Sequence, residues 1–258
     1  MRTKFNKQMA DIKDETTVEN TEVNETVEET SNKPIDPSLE GVQLFYAQNQ
    51  KMINYVGGGL LLIIGVFCFF KLYYLPELEK EASNEIFWAE SYFEVDSFNI
   101  ALKGGVTVMS PDGQKQIMGF EQIAEEYSLT KTGSLAHYYA GICNLRTGKF
   151  EQAIEHLENY NGNDEMVSSI AVGAIGDCNM ELNRVDEAIK FYLKAADKSS
   201  NSFTTPLYLK KAGFAYEQKS NFSEALALYE RIKKEYGKSN EGKEIDRDIA
   251  KVKAMGNL

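Results

Sequence analysis

YYAGICNLRTGKFEQAIEHLENY, residues 138–160, is the first of three related stretches, followed by AIGDCNMELNRVDEAIKFYLKAA (174–196) and KKAGFAYEQKSNFSEALALYERI (210–232). Gly141, Gly176 and Gly213 fall in register, as do Ala153, Ala188 and Ala225, at spacings of 35 and 37 residues. A small residue in each of two successive helical patterns lets antiparallel helices approach closely. Leu157, Tyr192 and Tyr229, four positions after each alanine, are expected to fill the gap to the next hairpin. A repeat of this length implies helical hairpins stacked side by side around a continuous core, hence an all-α solenoid.

The pattern resembles the tetratricopeptide repeat, which carries Leu-Gly-x-x-Tyr and Ala-x-x-x-Phe over about 34 residues. Agreement is best in the third unit, with Ala212, Gly213, Tyr216, Ala225 and Tyr229; Asn144 and Asn179 stand where the pattern wants Tyr. An irregular earlier unit covers Trp88 to Leu102, with Tyr92, Phe98 and Ala101 in the matching places. Its second helix is interrupted by GGVTVMSPDGQKQ (104–116), which holds a Pro-Asp-Gly turn and, at Val106 to Met109, the only strand pattern of the chain. The helix is expected to resume over Phe120 to Tyr127. The insertion is either a tolerated surface excursion or a flap that contacts a partner. Ser239 to Met255 reads as a charged amphipathic helix capping the array at 239–255.

Working outward, INYVGGGLLLIIGVFCFF (53–70) carries no charge, and at ~1.5 Å per helical residue it just spans a ~30 Å hydrocarbon core. Lys71, Tyr73 and Tyr74 extend it as interfacial residues, giving an expected transmembrane helix over 53–75. A buried core helix is the alternative reading, but core helices rarely run this long without a polar face. About fifty polar residues precede the run, so it is expected to be a retained anchor rather than a cleaved signal. Residues 1–37, rich in Glu, Thr and Asn, are expected to be a disordered tail. Residues 38–52 are mildly amphipathic and read as a juxtamembrane helix that lies on the membrane or runs straight into the span. Within the span, Gly58, Gly65 and Cys68 fall along one helical face and form a candidate packing groove for another helix, or else face lipid. Residues 76–258 form the repeat domain.

Composition excludes several functions. A net charge of −11 argues against nucleic acid, because each lysine cluster is interleaved with acids. Cys68, Cys143 and Cys178 read as packing residues, with a disulfide as the alternative, and they lack metal-type spacing, so no metal is expected. His137 and His156, the only histidines, fall in different helices of one hairpin and read as surface or interhelix residues. There is no Gly-rich phosphate loop, nucleophile elbow or His-Glu-x-x-His run. We therefore expect no enzyme activity, no cofactor and no small-molecule substrate.

What remains is the concave face that repeat arrays use to hold peptides. The tetratricopeptide pattern lines that face with the first helix of each hairpin. Carried across, it nominates Tyr138, Ile142, Leu145 and Arg146, then Asp177, Met180 and Glu181, then Lys210, Phe214 and Glu217. This face reads as mixed apolar and acidic. The superfamily's clamps for C-terminal carboxylates use Lys and Asn or Arg where Tyr138 and Ile142 stand, so that mode is not expected.

The layout as a whole is similar to the YfgM-like family of membrane-anchored bacterial tetratricopeptide proteins. The resemblance runs over residues 43–235, from the lead-in FYAQNQKMINYVGGGLLLI through LPELEKEASNEIFWAESYFEVDSFNIAL and the segment Tyr127 to Tyr160. It implies a single-pass bacterial inner-membrane protein with a cytoplasmic N-terminus and periplasmic repeats. The implied partners are the SecYEG translocon, periplasmic chaperones such as PpiD and unfolded client segments. Topology rests on the resemblance, because Lys33 and Lys51 before the span balance Lys71 and Lys80 after it. The insertion and the acidic tail depart from the family pattern. A structural adaptor in envelope assembly or cell-division coordination is the second reading.

Overall fold

The structure is a computed structural model that describes residues 40–111, 113–198 and 200–258. The expected tail 1–37 lies outside them. The chain divides after Phe67 into two units.

The described part of the first unit is helical. Helix α1 (Glu40–Phe69) has no break at residue 52 or 53, and no proline interrupts it. Its apolar window has the length and composition to cross a membrane, and none of that window is buried. A Cβ added at Gly58 or Gly65 would meet nothing within 4 Å.

In the second unit, which starts at Cys68 in the last turn of α1, a π-helical turn at Phe70–Tyr74 leads into α2 (Leu75–Glu94). Pro76 explains the turn: its ring and missing N–H disturb the ladder one turn earlier, and a widened register absorbs the mismatch. The side chain of Cys68 is exposed.

From α2 onward the chain forms four helical hairpins and a cap. The first pairs α2 with a broken partner, α3 (Phe98–Lys103) and α4 (Phe120–Glu126). The others are α5 (Lys131–Arg146) with α6 (Phe150–Asn159), α7 (Glu165–Glu181) with α8 (Val185–Lys198), and α9 (Thr204–Gln218) with α10 (Phe222–Glu235). Helix α11 (Asn240–Gly256) closes the array. This is the all-α hairpin solenoid that the 35- and 37-residue spacings imply.

One turn geometry recurs in all four hairpins. Asp96, Gly148, Asn183 and Ser220 each adopt positive φ, from 57° to 76°. The amide following each reaches back to close the helix: Ser97 N to Tyr92 O and Lys149 N to Asn144 O, then Arg184 N to Asn179 O and Asn221 N to Tyr216 O, at 2.8–2.9 Å. Such six-residue bonds satisfy carbonyls left open at a helix C-terminus. The four acceptors occupy the Tyr position of the sequence pattern. The position therefore keeps its backbone role even where Asn replaces Tyr, and Trp88 to Leu102 is a genuine first unit.

The interrupted helix of that unit carries a two-stranded antiparallel ribbon, β1 (Gly104–Ser110) and β2 (Gly113–Met118). Val108 pairs with Lys115 and Thr107 with Gln116. The ribbon runs two residues beyond the expected 104–116, and β2 shows no strand pattern in sequence because GQKQIM is mostly polar. It is a strand through its pairing with β1, while Ile117 turns inward at 2% exposure. Gly104, at φ 65°, ends α3 against the backbone of Ile117 and Gly119, where a Cβ would clash. Lys115 pairs with Glu85 of α2 and pins the ribbon, while Met109 is exposed.

Close approach within hairpins follows the small residues. A Cβ on Gly141 would stand 2.5 Å from Leu157 Cγ, one on Gly176 would stand 2.6 Å from Tyr192 Cδ1, and one on Gly213 would collide with Tyr229. These three large residues thus cover the glycine of their own hairpin, rather than chiefly bridging to the next one. The reason is geometric: four positions after the alanine, the side chain lies over the facing helix. Ala153, Ala188 and Ala225 are fully buried. Cys143 and Cys178 are free and buried, and burial pushes both thiols up to about 12, which makes them inert packing residues.

Candidate functional site: a groove along the first helices

Helices α5, α7 and α9 are neighbours, with α5 touching α7 and α7 touching α9. Each starts where the sequence supplies a cap. Thr130 accepts from Gly133 N at 2.8 Å, and Asp164 accepts from Val167 N at 2.8 Å. Asn201 accepts from Phe203 N and Thr204 N at 2.8 and 2.7 Å. Their exposed flanks border one groove of about 1580 Å³, with Phe93 of α2 among its lining residues and Arg247, Asp248 and Lys251 contributed by α11.

All ten residues nominated on the concave face line this groove: Tyr138, Ile142, Leu145, Arg146, Asp177, Met180, Glu181, Lys210, Phe214 and Glu217. Arg146, Glu181 and Phe214 are exposed, and the other seven are half-buried. Gly58, Gly65 and Cys68 are not among its lining residues.

The sequence reading missed the groove's basic side. Lys211 and the α11 residues Arg247 and Lys251 also line it, so the face is mixed in charge rather than acidic. Lys211 Nζ lies 2.7 and 2.8 Å from the two carboxylate oxygens of Asp177, and Tyr192 donates its hydroxyl to Asp177 Oδ1 at 2.7 Å. The same ammonium sits 5.7 Å from the ring centres of both Tyr192 and Tyr208. One hairpin on, Tyr229 donates to Glu217 Oε1 at 2.7 Å, and Lys251 Nζ pairs with Glu217 Oε2 at 2.6 Å. Lys210 pairs with Asp248 at 3.2 Å. The repeat thus builds a tyrosine, carboxylate and lysine relay twice.

The electrostatics follow from burial. Desolvation, reinforced by Asp177, raises the Tyr192 and Tyr208 phenols well above the ordinary tyrosine value, and burial with the Glu217 hydrogen bond does the same for Tyr229. Tyr192 and Tyr229 therefore stay protonated and donate. The α5–α6 hairpin has Leu157 in the tyrosine's place and Ile142 on its groove face, so no relay forms there. That half of the groove is instead apolar, lined by Phe93, Tyr138, Ile142, Leu145 and Phe150. The relays could be found in sequence only by knowing that α9 and α11 lie beside α7 and α9, since Lys211 and Lys251 are 34 residues from their acids.

Away from the groove, His137 Nδ1 and His156 Nδ1 are 3.1 Å apart, joining α5 to α6. Among the described residues no cluster of three or more His, Cys, Asp or Glu could hold a metal ion. The geometry suits binding of a polypeptide segment along a wall of fixed charges and rings.

Comparison with known proteins places a tetratricopeptide repeat family match on residues 209–239, from Leu209 in α9 through α10 to Ser239, the N-cap of α11. This is the unit in which the sequence pattern is most complete. The chain therefore contains a tetratricopeptide repeat, a module for protein–protein interaction. No curated protein matches the chain.

Proposed function

We propose that this chain is a non-catalytic, membrane-anchored interaction protein whose groove holds an extended segment of another protein. The observation that carries this reading is that all ten nominated first-helix residues open onto a single groove. Half-buried apolar side chains there can bury a partner's side chains, and the relays hold the wall rigid, which lowers the ordering cost of binding. In the finer reading, α1 anchors the chain in a bacterial inner membrane with residues 1–37 in the cytoplasm and the repeats in the periplasm. The partners are then the SecYEG translocon and a periplasmic chaperone, with unfolded segments as clients; this part rests on the YfgM-like layout of the sequence.

Affinity purification of the full chain from detergent-solubilised membranes tests it. Translocon and chaperone subunits should travel with the wild type and be depleted with Phe214→Glu, which places a charge on the groove's most exposed aromatic ring. Recovery of envelope-assembly or division proteins instead would select the adaptor reading. A periplasm-dependent reporter fused after Leu258 should be active, and activity only from a cytoplasmic reporter would reverse the topology.

A further inference from the structure

Nine charged side chains line the groove, and seven of them have a partner of opposite charge within the chain: Asp177 with Lys211, Glu217 with Lys251, and Asp248 with both Lys210 and Arg247. Among the described residues, Arg146 and Glu181 are the two for which no ion pair forms. They are also equivalent. Arg146 ends α5 and Glu181 ends α7, 35 residues apart, the spacing of the repeat itself, and the next unit puts neutral Gln218 at that place. Both side chains are exposed. The groove therefore presents a ladder of one cation, one anion and one neutral polar group along the ends of α5, α7 and α9.

We propose that Arg146 and Glu181 read the charge order of the bound segment, which carries an acidic residue against Arg146 and a basic residue against Glu181. The inference rests on the groove reading above and specifies its ligand. Neighbouring helices lie about 8–10 Å apart and an extended chain advances about 3.3 Å per residue, so the two ligand charges are about three residues apart. Apolar ligand side chains fill the half-groove around Phe93, Tyr138 and Phe150, where no relay occupies the wall. The locked pairs beyond Glu181 offer no free charge, so charge selectivity is confined to these two rungs.

The test uses the full chain in lipid nanodiscs and four fluorescein-labelled twelve-residue peptides on one Leu- and Tyr-containing scaffold, with Glu…Lys, Lys…Glu, Lys…Lys or Glu…Glu three residues apart. Fluorescence anisotropy should show one of the two mixed orders binding about fivefold tighter than the other three, as expected for two exposed ion pairs acting together. The protein carrying Arg146→Glu with Glu181→Arg should prefer the opposite order. Equal binding of all four peptides, still abolished by Phe214→Glu, overturns the charge ladder and leaves the groove reading standing. A preference unchanged by the double reversal overturns the ladder as well. Absence of binding by every peptide overturns both readings.

Discussion

Tyr192 lies across Gly176 so closely that a Cβ on the glycine would stand 2.6 Å from the ring carbon Cδ1. Helices α7 and α8 owe their separation to this contact, with Ala188 fully buried beside it. Gly176→Ala should therefore destabilise the repeat domain by ~1–3 kcal/mol through overpacking, despite the better helix propensity of alanine. Ala188→Leu should cost a similar amount. Urea unfolding followed by circular dichroism checks both, and an unchanged midpoint in both variants would contradict the hairpin packing.

The Asp177 carboxylate holds two donors, so its removal orphans both. Asp177→Ala should cost about 2 kcal/mol, because Lys211 and the Tyr192 hydroxyl lose a charged acceptor in a half-buried setting. Arg146→Ala, by contrast, should change stability by less than ~0.5 kcal/mol. The raised tyrosine values add a pH dependence. A group whose folded value lies above its unfolded one stabilises fully below the unfolded value, so stability should decline as pH rises beyond about 10. Spectrophotometric titration should show a class of phenols ionising only on unfolding.

Acid should act through the histidine pair. Burial lowers both imidazoles, and the His156 ring 3.1 Å away lowers His137 further; at His156, Glu121 and Glu155 oppose the shift and Lys103 reinforces it. With folded values depressed, the unfolded chain takes up protons first. The stabilisation is complete above about pH 6.5 and is lost as pH falls through the folded values. Unfolding midpoints at pH 7.5 and 5.5 should differ more for the wild type than for His156→Gln. Equal differences would remove the pair from the account.

Asn144 is fully buried, and neither its Nδ2 nor its Oδ1 has a partner among the described residues, although its backbone carbonyl receives Lys149 N. Its counterpart Asn179 donates to Ile175 O at 2.8 Å. Asn144→Leu, similar in size and apolar, should raise stability by ~1–2 kcal/mol, about 2–4 °C in Tm per kcal/mol for a domain of this size. Asn179→Leu, which removes a satisfied group, should gain less. Differential scanning calorimetry of the two variants separates them.

The span offers a different kind of test. Because a Cβ at Gly58 or Gly65 meets nothing within 4 Å, Gly58→Ile with Gly65→Ile should leave repeat stability and membrane insertion unchanged. If those glycines seat a partner helix, co-purification of that partner should fall. Full recovery would assign the contact to the groove alone.

The repeat, its glycines and alanines, the broken first unit and the apolar run were all legible in the sequence, because each is a local pattern. A helical hairpin is closed by residues within about 35 positions, and small residues at close approaches leave a periodic trace. The strand β2 was not legible: its polar residues become a strand only by pairing with β1. Nor was the destination of Tyr192 and Tyr229, since spacing alone could not distinguish their own hairpin from the next.

By itself the sequence determined the solenoid and which residues of its first helices face one way. Only the tertiary structure decided which charges on that face are already spent. Lys211 and Lys251 reach Asp177 and Glu217 from the following first helix or cap, while Arg146 and Glu181 have no such neighbour. Pairing depends on distances between helices that meet through stacking, and a period in sequence sets which helices meet but not which side chains arrive within reach.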